Sequence, residues 1–271
     1  MSDHQLHGVH CNAQPAWDKR YGGAPRRLRL KLFDLVVRAL GVTALRPPPP
    51  QTAEDACLTE ARRLAELAAL GAHVPQVLER GSQRLVLSDM GQTLAARLRA
   101  SEPAVAADWF TRAASTLAEV HARGGYIGQP VARNLTVDAA GRIGFLDVEE
   151  DPAPIMSLVD AQVRDWLVFA AGAVRHMPQD ASELADLLRP ALARAQAPVQ
   201  STLRSNVERL GFLALLAWLK GSRAAGIGKA VQTLRAASSS HAMGLLMLSL
   251  GLDYWHDGDI EIMQWISAWI G

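Results

Sequence analysis

Between Thr52 and Leu70 the apolar residues recur at helical spacing. Cys57, Ala61, Leu64, Ala65 and Ala68 form a stripe, Glu60 sits on its shoulder, and Arg62, Arg63 and Glu66 are expected to face away. Thr52 and Asp55 make a capping-box pair, and Gly71 suits the C-terminal cap. A second helix is predicted from about Ala104 to Arg123, with Pro103 in its first turn, Gly124-Gly125 as its stop, and Ala106, Phe110, Ala113, Leu117 and Val120 on its buried face. Between these helices, "VPQVLERGSQRLVLSDMG" reads as two short strands ending in a loop at Asp89-Met90-Gly91. Further on, "LTV" and "RIGFL" flank "DAAG", a turn with Asp first and Gly last. A hairpin closing at Ala139-Ala140 sets Asn134 opposite Leu146, so Asn134 and Asp147 should be neighbours at one rim. From Ala161 onward the pattern is helical, with breaks near Pro178, Pro198, Gly221 to Gly226 and Gly251. Residues 1–51 read as irregular, with "RPPPP" at Arg46 to Pro50 a stiff extended spacer. Short strands early and helices late make an α+β pattern.

Composition narrows the function classes. The chain is 49% apolar over 271 residues, enough for a sizeable core. A net charge of +1 supports no nucleic-acid partner. Cys11 and Cys57 are too few for a disulfide framework or a zinc site, which fits a reducing, cytoplasmic setting. The opening "MSDHQLHGVHCNAQPAW" lacks the apolar run of a signal peptide. "LGFLALLAWL" and "AMGLLMLSLGL" are each about half the roughly twenty residues of a spanning helix and read as core, so no transmembrane segment is expected. Arginine dominates the cations; the lysines are Lys19, Lys31, Lys220 and Lys229, so a role that demands lysine has few candidates. The basic "DKRYGGAPRRLRLK" reads as solvated surface, with a phosphate or acidic-surface site as its alternative. The acidic run Glu149, Glu150, Asp151 likewise reads as a solvated loop, and His121 as a structural histidine at a helix end.

The Asn134/Asp147 pair changes this picture. A carboxamide and a carboxylate at one rim offer oxygen donors to a hard ion such as Mg²⁺. Upstream, "GQPVARN" keeps the spacing of the catalytic loop H-R-D-x-x-x-x-N, with Gln129 in the Asp position, and a hairpin then leads to Asp147 in "DVE". On these residues the chain resembles the protein-kinase-like superfamily and is similar to small bacterial atypical kinases of the lipopolysaccharide (heptose) kinase type. The resemblance runs over about residues 16–170. It implies a bilobal fold: a small mixed N-lobe over 1–91 that holds nucleotide, and a larger, mainly helical C-lobe over 92–271 with the catalytic loop and metal site. It implies ATP and Mg²⁺ as cofactors, Asp147 and Asn134 as metal ligands, and Gln129 in the place of the catalytic Asp. It further implies Glu60 as the helix glutamate that holds a strand lysine, with "AWDKRY" as that strand. Lys19 is the first choice for that lysine; Lys31 and Arg46 remain open. Asp89, Met90 and Gly91 would form the hinge under adenine, and Asp165 the buried aspartate that braces the catalytic loop. No Gly-rich phosphate loop is recognisable before Lys19.

A carboxamide takes no proton at neutral pH, so Gln129 cannot serve as a general base. It can orient a hydroxyl or water, and Glu149 is a carboxylate near enough in sequence to stand in as base. Two function classes follow. One is ATP-dependent phosphotransfer to a hydroxyl of a sugar, lipid-linked glycan or protein, with peripheral contact at the inner membrane surface left open. The other is a pseudokinase, a nucleotide-binding regulatory or scaffold module. A plain helical interaction protein fits residues 175–271 but leaves Asn134 and Asp147 unexplained.

Overall fold

The computed structural model describes residues 5–11, 14–22, 34–35, 37–39, 41–218 and 225–238. Strands β1 (Gln5–Cys11) and β2 (Gln14–Arg20) form an antiparallel hairpin. Helix α1 (Ala53–Ala69) follows, and then β3 (Val77–Arg80) and β4 (Arg84–Ser88). The four strands make one antiparallel sheet in the order β1-β2-β4-β3. β4 is central, and its Leu85, Val86 and Leu87 are all buried. The reading of residues 1–51 as irregular is corrected by β1. Its "QLHGVHC" has weak intrinsic strand preference, and its pairing along the whole of β2 decides its conformation.

Helix α1 begins and ends as its caps dictate. Thr52 accepts from the Asp55 N–H while the Asp55 carboxylate accepts from the Thr52 backbone, and Gly71 follows at φ +74°. Its buried face differs from the expected stripe. Ala56, Cys57, Glu60, Arg63, Leu64 and Leu67 are buried, whereas Ala65 and Ala68 are exposed. The cause is a second contact surface. Arg63 does not face solvent: its guanidinium lies 3.9 Å from the Tyr126 ring centroid and donates to Glu66 and to the Tyr126 carbonyl.

A second sheet, β5-β6-β7, begins after Gly91 with β5 (Gln92–Thr93), β6 (Leu135–Val137) and β7 (Ile143–Phe145). Between β5 and β6 lie α2 (Leu94–Ala100) and α3 (Pro103–Ala122); all five predicted core positions of α3 are buried. After β7 come α4 (Leu158–Ala173), α5 (Ala181–Ala193), α6 (Ala197–Trp218) and α7 (Ala225–Ser238). The predicted breaks near Pro178 and Pro198 fall between α4 and α5 and at the start of α6. The break at Gly251 and the segment "AMGLLMLSLGL" lie outside the described residues. α4 is the central helix, with Trp166 and Phe169 fully buried and Phe169 stacked on Phe110 at 5.4 Å. The chain is thus α+β, a small antiparallel sheet lobe and a larger helical lobe. Among the described residues no helix is long and apolar enough to cross a membrane.

The proline stretch joins the lobes. A 3₁₀ turn at Thr43–Leu45 and the extended chain behind it lie along α4. There the Thr43 hydroxyl donates to Asp160 at 3.1 Å, the Arg46 carbonyl accepts from Arg164 at 3.2 Å, and Gln51 donates to the Glu149 carbonyl at 3.3 Å.

Candidate active site

Lys19 sits on β2, and strand alternation turns it onto the face that α1 covers. Its ammonium is 2.6 Å from Glu60 of α1 and 2.6 Å from Asp147, which follows β7. Glu149 lies 3.3 Å away. The lysine and Glu60 are buried, so each charge depends on the others for compensation. Burial alone would lower the Lys19 pKa, but attraction from Asp147, Glu60 and Glu149 outweighs it and holds the ammonium well above its ordinary value. Glu60 is pushed up by burial, which Lys19 opposes and the charges of Asp147 and Glu149 reinforce. The asymmetry is physical: one lysine faces three carboxylates, while the carboxylates share one lysine. The buried Tyr21 hydroxyl donates to Glu60, and burial together with that charge raises its own pKa. Of the other candidates for the phosphate-holding cation, Arg46 pairs with Asp34 at 2.8 Å and reaches the Ile155 carbonyl. Lys31 lies outside the described residues.

Hairpin register brings the second half of the site together. Leu135 pairs with Phe145, and the Leu146 N–H donates to the Asn134 carbonyl at 2.7 Å, so Asn134 and Leu146 stand opposite as expected. The Asn134 amide nitrogen is 3.4 Å from Asp147 Oδ2, 3.2 Å from the Gln129 carbonyl and 3.4 Å from Gln129 Oε1. Asp147 has φ +56°, the one non-glycine residue with positive φ among those described, a strained conformation of the kind that clusters at functional sites. Besides its nitrogen, the Asn134 amide carries a hard oxygen, at the same rim as the Asp147 carboxylate. That set fits Mg²⁺, which takes one or two protein carboxylates and hard oxygens. Glu60, Asp147 and Glu149 also converge, with ligand atoms within 4.8 Å of one another, but the Lys19 ammonium lies among them and supplies the compensating charge.

The segment 127–129 is held from beneath by α4. Asp165 accepts the backbone N–H groups of Ile127 at 2.6 Å and Gly128 at 2.7 Å, and pairs with His121 Nε2 at 2.9 Å. His121 is therefore structural, as its sequence position suggested. The neighbouring Arg164 was not singled out from sequence. Its Nε donates to the Gly128 carbonyl at 2.9 Å and its NH2 to Glu150 at 3.0 Å. Gln129 Nε2 is 3.3 Å from the other Glu150 oxygen. The acidic run is therefore not a solvated loop. Glu149 faces Lys19, Glu150 joins Arg164 to Gln129, and the buried Asp151 binds Arg62 and the Tyr126 hydroxyl. Three acids in sequence gave no sign of this, because each partner comes from a different element. The only local cue was Arg164 beside Asp165.

Asp89 to Gly91 connects the two sheets. Asp89 accepts from the Trp17 indole at 2.7 Å, Met90 is buried, and Gly91 (φ +84°) packs so close to β6 that a Cβ would lie 2.6 Å from the Val137 carbonyl oxygen.

No protein-family model and no curated protein matches the chain. Among solved structures it is similar to a MAP kinase from Leishmania major, at 9% identity over 98% of this chain and 94% of that one, with a TM-score of 0.35.

Proposed function

We propose that the chain binds a magnesium nucleoside triphosphate between its lobes and transfers the γ-phosphoryl group to a hydroxyl. The observation that carries this reading is the convergence on one ammonium: Lys19 at 2.6 Å from both Glu60 and Asp147, three residues from three separate elements. Residues 1–91 would hold the nucleotide, with backbone groups of Asp89 to Gly91 beside the base and Lys19, steadied by Glu60, against the α- and β-phosphates. Residues 92–271 would supply the chemistry. Asn134 and Asp147 would hold Mg²⁺, which when bound neutralises charge on the phosphates during transfer. Gln129 would orient the acceptor hydroxyl. Two free cysteines agree with a reducing, cytoplasmic location, where a sugar, lipid-linked glycan or protein hydroxyl is the acceptor class.

One observation favours a second reading. The carboxamide at position 129 withholds the usual base, which suits a pseudokinase that binds nucleotide and regulates a partner. Both readings require nucleotide binding. ATP with Mg²⁺ at a hundredfold excess over Kd adds about 2.7 kcal/mol to stability, a rise in Tm of about 5–10 °C. Asp147→Ala should remove most of that rise. A rise that survives in Asp147→Ala contradicts the metal assignment, and its absence in the wild type contradicts both readings.

A further inference from the structure

Phosphoryl transfer to a hydroxyl leaves a proton to be taken up, and Gln129 cannot take it. The described carboxylates around the site differ in what they face. Glu60, Asp147 and Glu149 all lie against the Lys19 ammonium. Asp151 is buried between Arg62 and Tyr126. Glu150 stands apart: one oxygen is 3.3 Å from Gln129 Nε2, the other accepts from Arg164, and its side chain is 33% exposed, open to an incoming group.

We propose that Glu150, presented across the Gln129 side chain, accepts the proton of the acceptor hydroxyl. This rests on the phosphotransfer reading above. In the step, the acceptor O–H bond breaks and its proton goes to the Glu150 carboxylate, while the acceptor oxygen bonds to the γ-phosphorus. The bond from that phosphorus to the bridging oxygen breaks, and the nucleoside diphosphate leaves with the electron pair. The carboxylate therefore comes from the loop after β7, and the catalytic-loop position keeps only an orienting amide.

The scaffold fixes this placement twice. Arg164 is a buried side chain of α4 that grips both the Gly128 carbonyl and Glu150, so the two loops keep one spacing. Gly128, at φ +99°, lies so close that a Cβ would overlap the Glu150 carbonyl oxygen. Charged groups around Glu150 come from two directions: Arg164 of α4 opposes protonation, and Glu149 and Asp147 of its own loop favour it. Desolvation is the largest influence and raises the carboxyl above its ordinary value.

The test uses the full chain as wild type, Glu150→Gln, Glu150→Asp and Asp147→Ala. Binding of Mg²⁺-ATP is measured by calorimetry, and ATP hydrolysis, with water as the acceptor, is followed across pH. Glu150→Gln keeps the side-chain shape and an acceptor oxygen for Arg164, and the Gln129 amide can turn to meet its N–H, so it should fold and bind ATP like the wild type. Its hydrolysis should fall about 10²- to 10⁴-fold and lose the acidic limb of the pH profile. Glu150→Asp restores a carboxylate on a shorter stem and should recover part of the rate and the limb. A Glu150→Gln protein that turns over like the wild type, or keeps the acidic limb, overturns the proposal. So does a wild type that binds Mg²⁺-ATP without hydrolysing it, which leaves nucleotide binding standing. A wild type that binds no nucleotide overturns the phosphotransfer reading as well.

Discussion

Lys19 is the residue on which the site closes, and its energetics are those of a buried charge rather than a surface ion pair. Replacing it with Met leaves Glu60 and its neighbouring carboxylates without their cation. Breaking a buried pair from one side costs about 3–5 kcal/mol. Asp186→Ala, which removes an exposed partner of Arg189, should stay within about 0.5 kcal/mol. Urea denaturation of the two variants beside the wild type measures the difference; similar small losses in both would mean that Lys19 is not buried with its acids. The pairing of Lys19 with Glu60 was expected from the resemblance alone; composition added only that lysines are few, and helical spacing that Glu60 borders an apolar stripe. The burial of Arg63 was not expected. Periodicity marks one face of a helix, and α1 is covered on two.

At the scale of elements, α4 does the most with the fewest residues. Arg164 and Asp165, adjacent in sequence, hold the carbonyl and the N–H of Gly128, and through Arg164 they also hold Glu150. The loop can approach this closely because residue 128 has no side chain. Gly128→Ala would combine a left-handed backbone with overlap on the Glu150 carbonyl, and strain of that kind costs about 1–3 kcal/mol before the overlap is counted. Gly124→Ala is the control, with φ +80° and open space around its Cβ position. We expect Gly128→Ala to lower Tm more than Gly124→Ala and to speed amide exchange at Ile127 and Gly128. Equal shifts would show that the loop has room to yield. The hairpin of β6 and β7 was legible because its turn residues set its register. The grip of α4 was not, since nothing in a helical pattern says which loop lies beside it.

For the whole molecule, one hydrophobic cluster runs from Tyr21 in the sheet lobe to Ala237 in α7, with Val42 and Ala44 of the joining segment inside it. A core shared between lobes predicts that neither unfolds alone, even though chains of this length commonly pass through intermediates. Trp17 lies on β2 and Trp166 on α4, so tryptophan fluorescence reports on both lobes and circular dichroism mainly on the helices. Urea transitions followed by the two signals should coincide. A separate early fluorescence transition would show that the sheet lobe opens independently.

The sequence by itself determined the caps of α1, the span of α3, the hairpin that pairs Asn134 with Leu146, and hence the Asn134/Asp147 rim. Each is a local matter, settled by residues a few positions apart through capping bonds, turn chemistry and side-chain period. The tertiary structure alone decided that β1 is a strand, that Lys19 faces three acids, that Arg63 is buried, and that Glu149, Glu150 and Asp151 point to three different partners. These depend on contacts between residues dozens of positions apart. Such contacts form only because burial of the shared core brings their elements together, and the cost of an unpaired buried charge then selects which groups meet.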